Sequence, residues 1–164
     1  MLIKTARNAA LAALALVVIA IPAAQAQTAT QTVTFAVNAI NQIAFVGAPS
    51  LTITTAVAGS APTSVTDASS TWAVTCNQTG AKISAAIASN MPAGLTLSAN
   101  LAAPTGGTSA GFASLSTVSV DLVTGITKLA QGSLGATYKL DATAAAGVIS
   151  SATRVVTYTI SGGV

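Results

Sequence analysis

The chain contains no His and no Glu. Its acidic residues are Asp67, Asp121 and Asp141, and its one Cys is Cys76. General acid–base catalysis near neutral pH usually rests on His or a tuned carboxylate, and nucleophilic catalysis on a nucleophile beside a base. Zinc and calcium sites gather several Cys, His or carboxylate ligands. The three Asp are far apart in sequence and show no Asp-x-Asp-x-Asp run. A Ser–Lys dyad on Lys82, Lys128 or Lys139 lacks a Ser-x-x-Lys spacing. The expectation is a protein that is not an enzyme, with no catalytic residue, no metal and no cofactor.

Charge is equally scarce. Two of the six basic residues, Lys4 and Arg7, stand at the extreme N-terminus, leaving Lys82, Lys128, Lys139 and Arg154 against the three Asp. Nucleic-acid binding needs clustered Lys and Arg to displace phosphate counterions, and anionic lipid needs a comparable patch. Four scattered cations exclude both. A single Cys also rules out an intramolecular disulfide. With so few charges the surface must consist of Thr, Ser, Ala, Gly, Asn and Gln, which repel other copies weakly.

The N-terminus reads as a secretory signal peptide over residues 1–26. Lys4 and Arg7 form a positive n-region, Ala9 to Ile21 is an apolar helical run, and Pro22 breaks it. Ala24-Gln25-Ala26 places small residues where a signal peptidase reads them, so cleavage is expected after Ala26, leaving Gln27 first. The apolar run is shorter than the roughly 18 residues of a spanning helix, so no stable membrane span is expected after cleavage. No Cys follows the cut and no twin Arg precedes it, which favours Sec-type export without a lipid anchor. The signal has a bacterial style. The product is expected to be extracellular, at the cell surface or periplasmic.

Residues 27–164 fit one domain, long enough to bury a core without staples. Their dominant period is two, the mark of half-buried strands. Val33, Phe35 and Val37 share a face, with Thr32 and Thr34 on the other. Ile43 with Phe45, and Leu51, Ile53 and Val57, continue the pattern. Ala58 to Ser70 reads as a loop. Trp72, Val74 and Cys76 form one face of the next strand, and Asn77 to Gly80 a hairpin turn. Strands follow at Ile83–Ile87, Leu95–Leu101 and Val118–Leu122, with a long loop over Ala102–Ser114 and a turn at Thr124-Gly125. Tyr138, Leu140 and Ala142 alternate, Ala144–Gly147 reads as part of a hairpin connection, and Arg154–Ile160 is the last strand. About eight short strands with turn signals imply an all-β sandwich or barrel. No long helical period follows the signal. The expected core is Val33, Phe35, Ile43, Phe45, Trp72, Val74, Cys76, Leu97, Val120, Tyr138, Leu140, Tyr158 and Ile160.

Each conspicuous residue has an ordinary reading beside a functional one. Cys76 lies four residues from Trp72 on one strand face and has neither a His nor a sequence-adjacent cation to lower its pKa, so it reads as core. Asp121 and Asp141 are placed to pair with Lys139 or Lys128. The pairs Thr28/Thr30, Thr32/Thr34, Thr52/Thr54 and Thr157/Thr159 suit either an exposed strand face or a flat array for ice or carbohydrate. Asn77-Gln78-Thr79 matches a glycosylation acceptor and reads here as a turn.

The leader, the Thr-rich alternating segment Gln31–Val37 behind it, and the aromatic-bearing strand Val155–Ile160 resemble bacterial surface, fimbria-type and adhesin-type subunits with immunoglobulin-like folds. The resemblance implies an antiparallel, Greek-key sandwich. In donor-strand pilins an N-terminal extension completes a neighbour's sheet, and Val33, Phe35 and Val37 match such an assembly strand. The chain departs from those pilins in having one Cys instead of a disulfide, and in carrying residues beyond Tyr158 where they end. Taken together, the sequence describes an exported structural or adhesive surface protein, a filament or matrix subunit. A secreted module binding glycan or another polymer is the alternative. Its partners would be further copies of itself, other surface proteins or carbohydrate.

Overall fold

The computed structural model describes residues 26–164. The leader, with Ala24 of the expected cleavage site, lies outside the described residues; Ala26 and Gln27 are exposed and in no strand. Two units are distinguished, one ending at Ala36 and one spanning Val37–Val164.

The second unit is an all-β antiparallel sandwich. Its strands are β1 (Asn41–Val46), β2 (Val65–Cys76), β3 (Ala81–Ile87), β4 (Leu95–Leu101), β5 (Thr108–Ser109), β6 (Ala113–Ser114), β7 (Val120–Ile126), β8 (Leu129–Ala142) and β9 (Val156–Ser161). One sheet has the order β1-β2-β8-β4-β6 and the other β5-β7-β3-β9, with every pairing antiparallel. From β2 onward each successive strand belongs to the opposite sheet, so sheet neighbours such as β2 and β8, or β3 and β9, are distant in sequence.

The core follows from the two-residue period. Trp72, Val74 and Cys76 project inward from β2, Ile83, Ala85 and Ile87 from β3, Leu122 and Ile126 from β7, and Leu134, Ala136 and Tyr138 from β8, all buried. Fully burying side chains such as Trp72, Ile83 and Leu122 stabilises by about 1.5–3 kcal/mol each for the aliphatic ones, and the Trp ring adds a larger buried surface. The β2–β3 turn is Asn77–Gly80, where Gly80 takes a positive φ of 78° that a residue with a Cβ disfavours.

Several expectations are corrected. No strand forms over Thr32–Val37, and Val33, Phe35 and Val37 are 72%, 89% and 80% exposed. Alternation sets which side chains share a face, not whether anything covers that face. Leu51–Val57 alternates but contributes only an isolated bridge, Ala56 to Pro62, because no neighbouring strand is in register with it. β2 begins at Val65, inside the expected loop. Its Ser- and Asp-rich start pairs with β8 through a register shift between Asp67 and Ser70. The expected loop Ala102–Ser114 holds β5 and β6. Gly125 sits within β7 instead of in a turn. Ala144–Ala146 is a short 3-10 turn in a crossover, since β8 and β9 belong to different sheets. Ile43, Phe45, Val120, Leu140, Tyr158 and Ile160 are half-buried.

Candidate functional site

The three Asp of the described residues are engaged in structural contacts. Lys82 pairs with Asp121 at 2.9 Å and Lys139 with Asp141 at 3.1 Å, both on the surface. Asp121 thus finds Lys82, not Lys128 or Lys139, because β3 lies beside β7. Asp67 accepts hydrogen bonds from the Ser50 and Ser69 N–H groups and the Ser69 hydroxyl. These bonds, led by the Ser69 hydroxyl, hold its carboxyl below the usual carboxylate range. Among the described residues, no three of His, Cys, Asp or Glu gather as metal ligands would. The Cys76 thiol is buried, accepts from the Gln78 N–H at 3.4 Å and donates to the Gln78 carbonyl at 3.5 Å. Thr157 and Thr159 lie exposed on β9, whereas Thr28, Thr30, Thr32, Thr34, Thr52 and Thr54 fall outside strands. The Thr pairs therefore build no single flat array.

What the fold does offer is an unfinished side. The two ends of the sandwich's sheets differ sharply. At one side the edges are β5 and β6, two residues each, joined by the short crossover through Gly111, with Leu115 buried behind them. Short edges of this kind are poor templates for pairing. At the other side the edges are β1 and β9, six residues each, and among the described residues neither has a second strand partner.

Backbone polarity at both rims can be read from the ladders. The Asn77 N–H bonds to the Ile40 carbonyl, which puts residues 40, 42, 44 and 46 in bonds toward β2. The N–H and C=O groups of Ile43 and Phe45 therefore face away from the sheet. The Ala88 N–H bonds to the Val155 carbonyl, so by the same alternation Val156, Tyr158 and Ile160 direct theirs away from β3.

Between these rims runs an open cleft of about 610 Å³. Its walls are largely apolar: Ile43 and Phe45 from β1, Leu97 from β4, Tyr138 and Leu140 from β8, Val156 and Tyr158 from β9, with Leu51 and Met91 from loops. It continues through Pro49, Leu51, Met91 and Leu140 into a second hollow of about 810 Å³ lined by the loops at 49–56 and 142–154. Phe45 stacks on Tyr158 with ring centroids 3.9 Å apart, and on the core Trp72 at 6.3 Å, so the rings of Phe45 and Tyr158 face the cleft with Trp72 buried behind Phe45. Burial, and then the hydrogen bond it shares with the Tyr138 hydroxyl, push the Tyr158 phenol well above its ordinary pKa.

Of the residues singled out from sequence, Trp72, Cys76 and Tyr138 are buried and Tyr158 is half-buried in the cleft wall. Val33, Phe35 and Val37 stand exposed on the segment that precedes β1. Sequence reasoning missed Met91, Leu51 and Arg154 as cleft residues, since they come from loops and meet only through long-range pairing. It also missed Asn77. Its side chain accepts a hydrogen bond from the Ile40 N–H and donates one to the Asn38 carbonyl, both at 2.7 Å. Comparison with protein-family models, curated proteins and solved structures finds no match to this chain.

Proposed function

We propose that the protein is an exported, non-enzymatic structural protein of the bacterial surface, a fimbria-like subunit that joins to further copies by strand addition. One observation carries the reading: among the described residues no strand pairs with the outer edges of β1 and β9, and an apolar cleft lies between these two edges. An extended segment laid there gains main-chain hydrogen bonds along the rim and buries alternate side chains in the floor.

The chain carries a segment of that kind. Residues 27–37 hold no charge and no Pro, and place Val33, Phe35 and Val37 at a spacing of two. Eleven extended residues reach ~36 Å at ~3.3 Å each, more than the ~20 Å of a six-residue strand. Burying each of these three side chains is worth about 1.5–3 kcal/mol before the entropy of ordering the segment is subtracted. That is the scale at which a partner strand can be retained.

The test is deletion of residues 27–37 from protein exported by a bacterial host. Light scattering and negative-stain electron microscopy should show the parent as concentration-dependent polymers and the deletion as folded monomers. A parent that stays monomeric at high concentration overturns the proposal.

A further inference from the structure

We propose that Asn77 is a positioning residue for assembly: its side chain holds the root of the N-terminal arm so that the arm reaches another copy instead of folding back into its own cleft. The proposal rests on the strand-addition reading above.

The register fixes the geometry. Asn41 lies opposite Cys76 and Val46 opposite Thr71, so β1 starts at the β2–β3 turn and runs away from it. β9 runs toward that turn, ending with Ser161 beside Lys82, and Val164 exchanges two backbone hydrogen bonds with Thr79. The cleft walls start at Ile43 and extend through Pro49 and Leu51, and along β9 only from Val156 to Tyr158. Residues 38–41, to which the arm is joined, therefore lie at one end of the sandwich, and the cleft opens toward the other.

To enter its own cleft, the arm must reverse direction just before β1 and lie antiparallel beside it. A reversal made at the root of β1 would have to turn Asn38 and Ile40. Both are held by one side chain. The Asn77 Oδ1 accepts from the Ile40 N–H and its Nδ2 donates to the Asn38 carbonyl, while its own N–H bonds to the Ile40 carbonyl at 3.1 Å. An amide can accept and donate at once, which a carboxylate or a methyl cannot. The next residue is held as well, Asn41 Nδ2 donating to Gln78 Oε1 at 2.5 Å.

This bracket matters because self-closure has a built-in advantage. A tethered strand competes at an effective concentration in the millimolar range for a short linker, far above that of other copies. Polymer wins only where the tether is aimed wrongly for its own site. An arm leaving one end and a cleft opening at the other make a head-to-tail contact, which extends without closing.

The experiment compares full-length exported protein with Asn77→Ala and Asn77→Asp. Asn77→Ala should lower the polymer-to-monomer ratio by about ten-fold or more, as expected for the loss of two side-chain hydrogen bonds. Its monomers should keep the parent's β circular dichroism, protect the arm from protease and fail to capture a synthetic peptide of residues 27–37. Asn77→Asp keeps the acceptor and loses the donor, so it should fall between. A purely structural role for Asn77 would instead lower the melting temperature and leave the arm protease-sensitive. Polymers of Asn77→Ala equal to the parent's, in a protein that Phe35→Asp still renders monomeric, overturn this proposal and leave strand addition standing. A parent that never polymerises removes both. If Asn77→Ala does not fold, Asn77→Asp decides: parent-like polymerisation overturns the proposal, and protease-protected monomers support it.

Discussion

The hydroxyls of Tyr138 on β8 and Tyr158 on β9 lie 2.6 Å apart and join the two sheets on the side where no strand closes the sandwich. Phe45 of β1 stacks on the same Tyr158 ring at an interplanar angle of 17°. Tyr158 thus holds both rims of the cleft at a fixed separation. If the cleft takes up an extended segment as proposed, such a spacer keeps its apolar walls from closing onto each other.

Removing both hydroxyls should therefore cost less than the two single removals added together. Tyr158→Phe leaves the buried Tyr138 hydroxyl without its partner, at about 1–3 kcal/mol. The double variant Tyr138→Phe/Tyr158→Phe leaves no unpaired hydroxyl and should be less destabilised than the sum of the singles. Denaturant unfolding of the four proteins measures the coupling. Strict additivity would mean the two hydroxyls do not interact in solution.

The same pair sets the alkaline limit. The folded Tyr158 phenol titrates above its unfolded value of about 10, chiefly through burial and then through the Tyr138 hydrogen bond. A raised pKa gives stability that is complete below the unfolded value and declines as pH rises past it. Unfolding midpoints should fall above about pH 10, and Tyr158→Phe should flatten that fall. On the acid side the signs reverse. Asp67 and Asp141 are lowered, mainly by the Ser69 and Ser64 hydroxyls respectively, so their small contributions are present above about pH 4 and fade as pH drops further.

Much of the sandwich is legible from residue alternation alone, and what is not has physical causes. Trp72, Val74 and Cys76, or Ile83, Ala85 and Ile87, announce a buried face because the neighbouring positions are small or polar. Val33 and Phe35 carry the same pattern and stand exposed. The pattern records what a segment fits against, which in this reading belongs to another molecule. β5 and β6 are two residues each, too short to show a period. Leu51 and Ile53 alternate, but their segment meets no sheet edge in register. Asn77 reads as part of a hairpin turn, but β2 and β3 lie in different sheets, so the turn is a crossover, and nothing local reveals that the Asn77 amide reaches back to residues 38 and 40. The cleft itself joins residues from Ile43 to Tyr158, so it exists only once strands distant in sequence have paired.

Cys76 should be chemically quiet. Its thiol is 2% exposed, packed with Trp72 and Val74 in the core, and hydrogen-bonded to the Gln78 backbone. Thiol labelling should be slow in the native state and fast in denaturant, and reducing agent should leave any polymer intact. Cys76→Ala should cost on the order of 1 kcal/mol, as for other small losses of packing, without altering assembly. Rapid native labelling would place the thiol outside the core.

The decisive substitution is at Phe35. In the free chain its ring is 89% exposed, so Phe35→Asp removes little packing from the subunit and should leave its stability within about 0.5 kcal/mol of the parent's. In a neighbour's cleft the same change sets a carboxylate against an apolar floor of the kind formed by Ile43, Phe45, Leu97 and Tyr158. Burying an unpaired charge there costs several kcal/mol beyond the lost apolar contact. The critical concentration for polymerisation should therefore rise by more than about a hundred-fold, while circular dichroism and thermal unfolding of the monomer stay as they were. Phe35→Leu keeps an apolar side chain and should retain most of the assembly. Val57→Asp supplies a control, since Val57 is likewise 71% exposed but lies in a loop outside the arm. If Val57→Asp weakens assembly as much as Phe35→Asp does, the effect is one of surface charge, and the arm is not the strand that completes the sandwich.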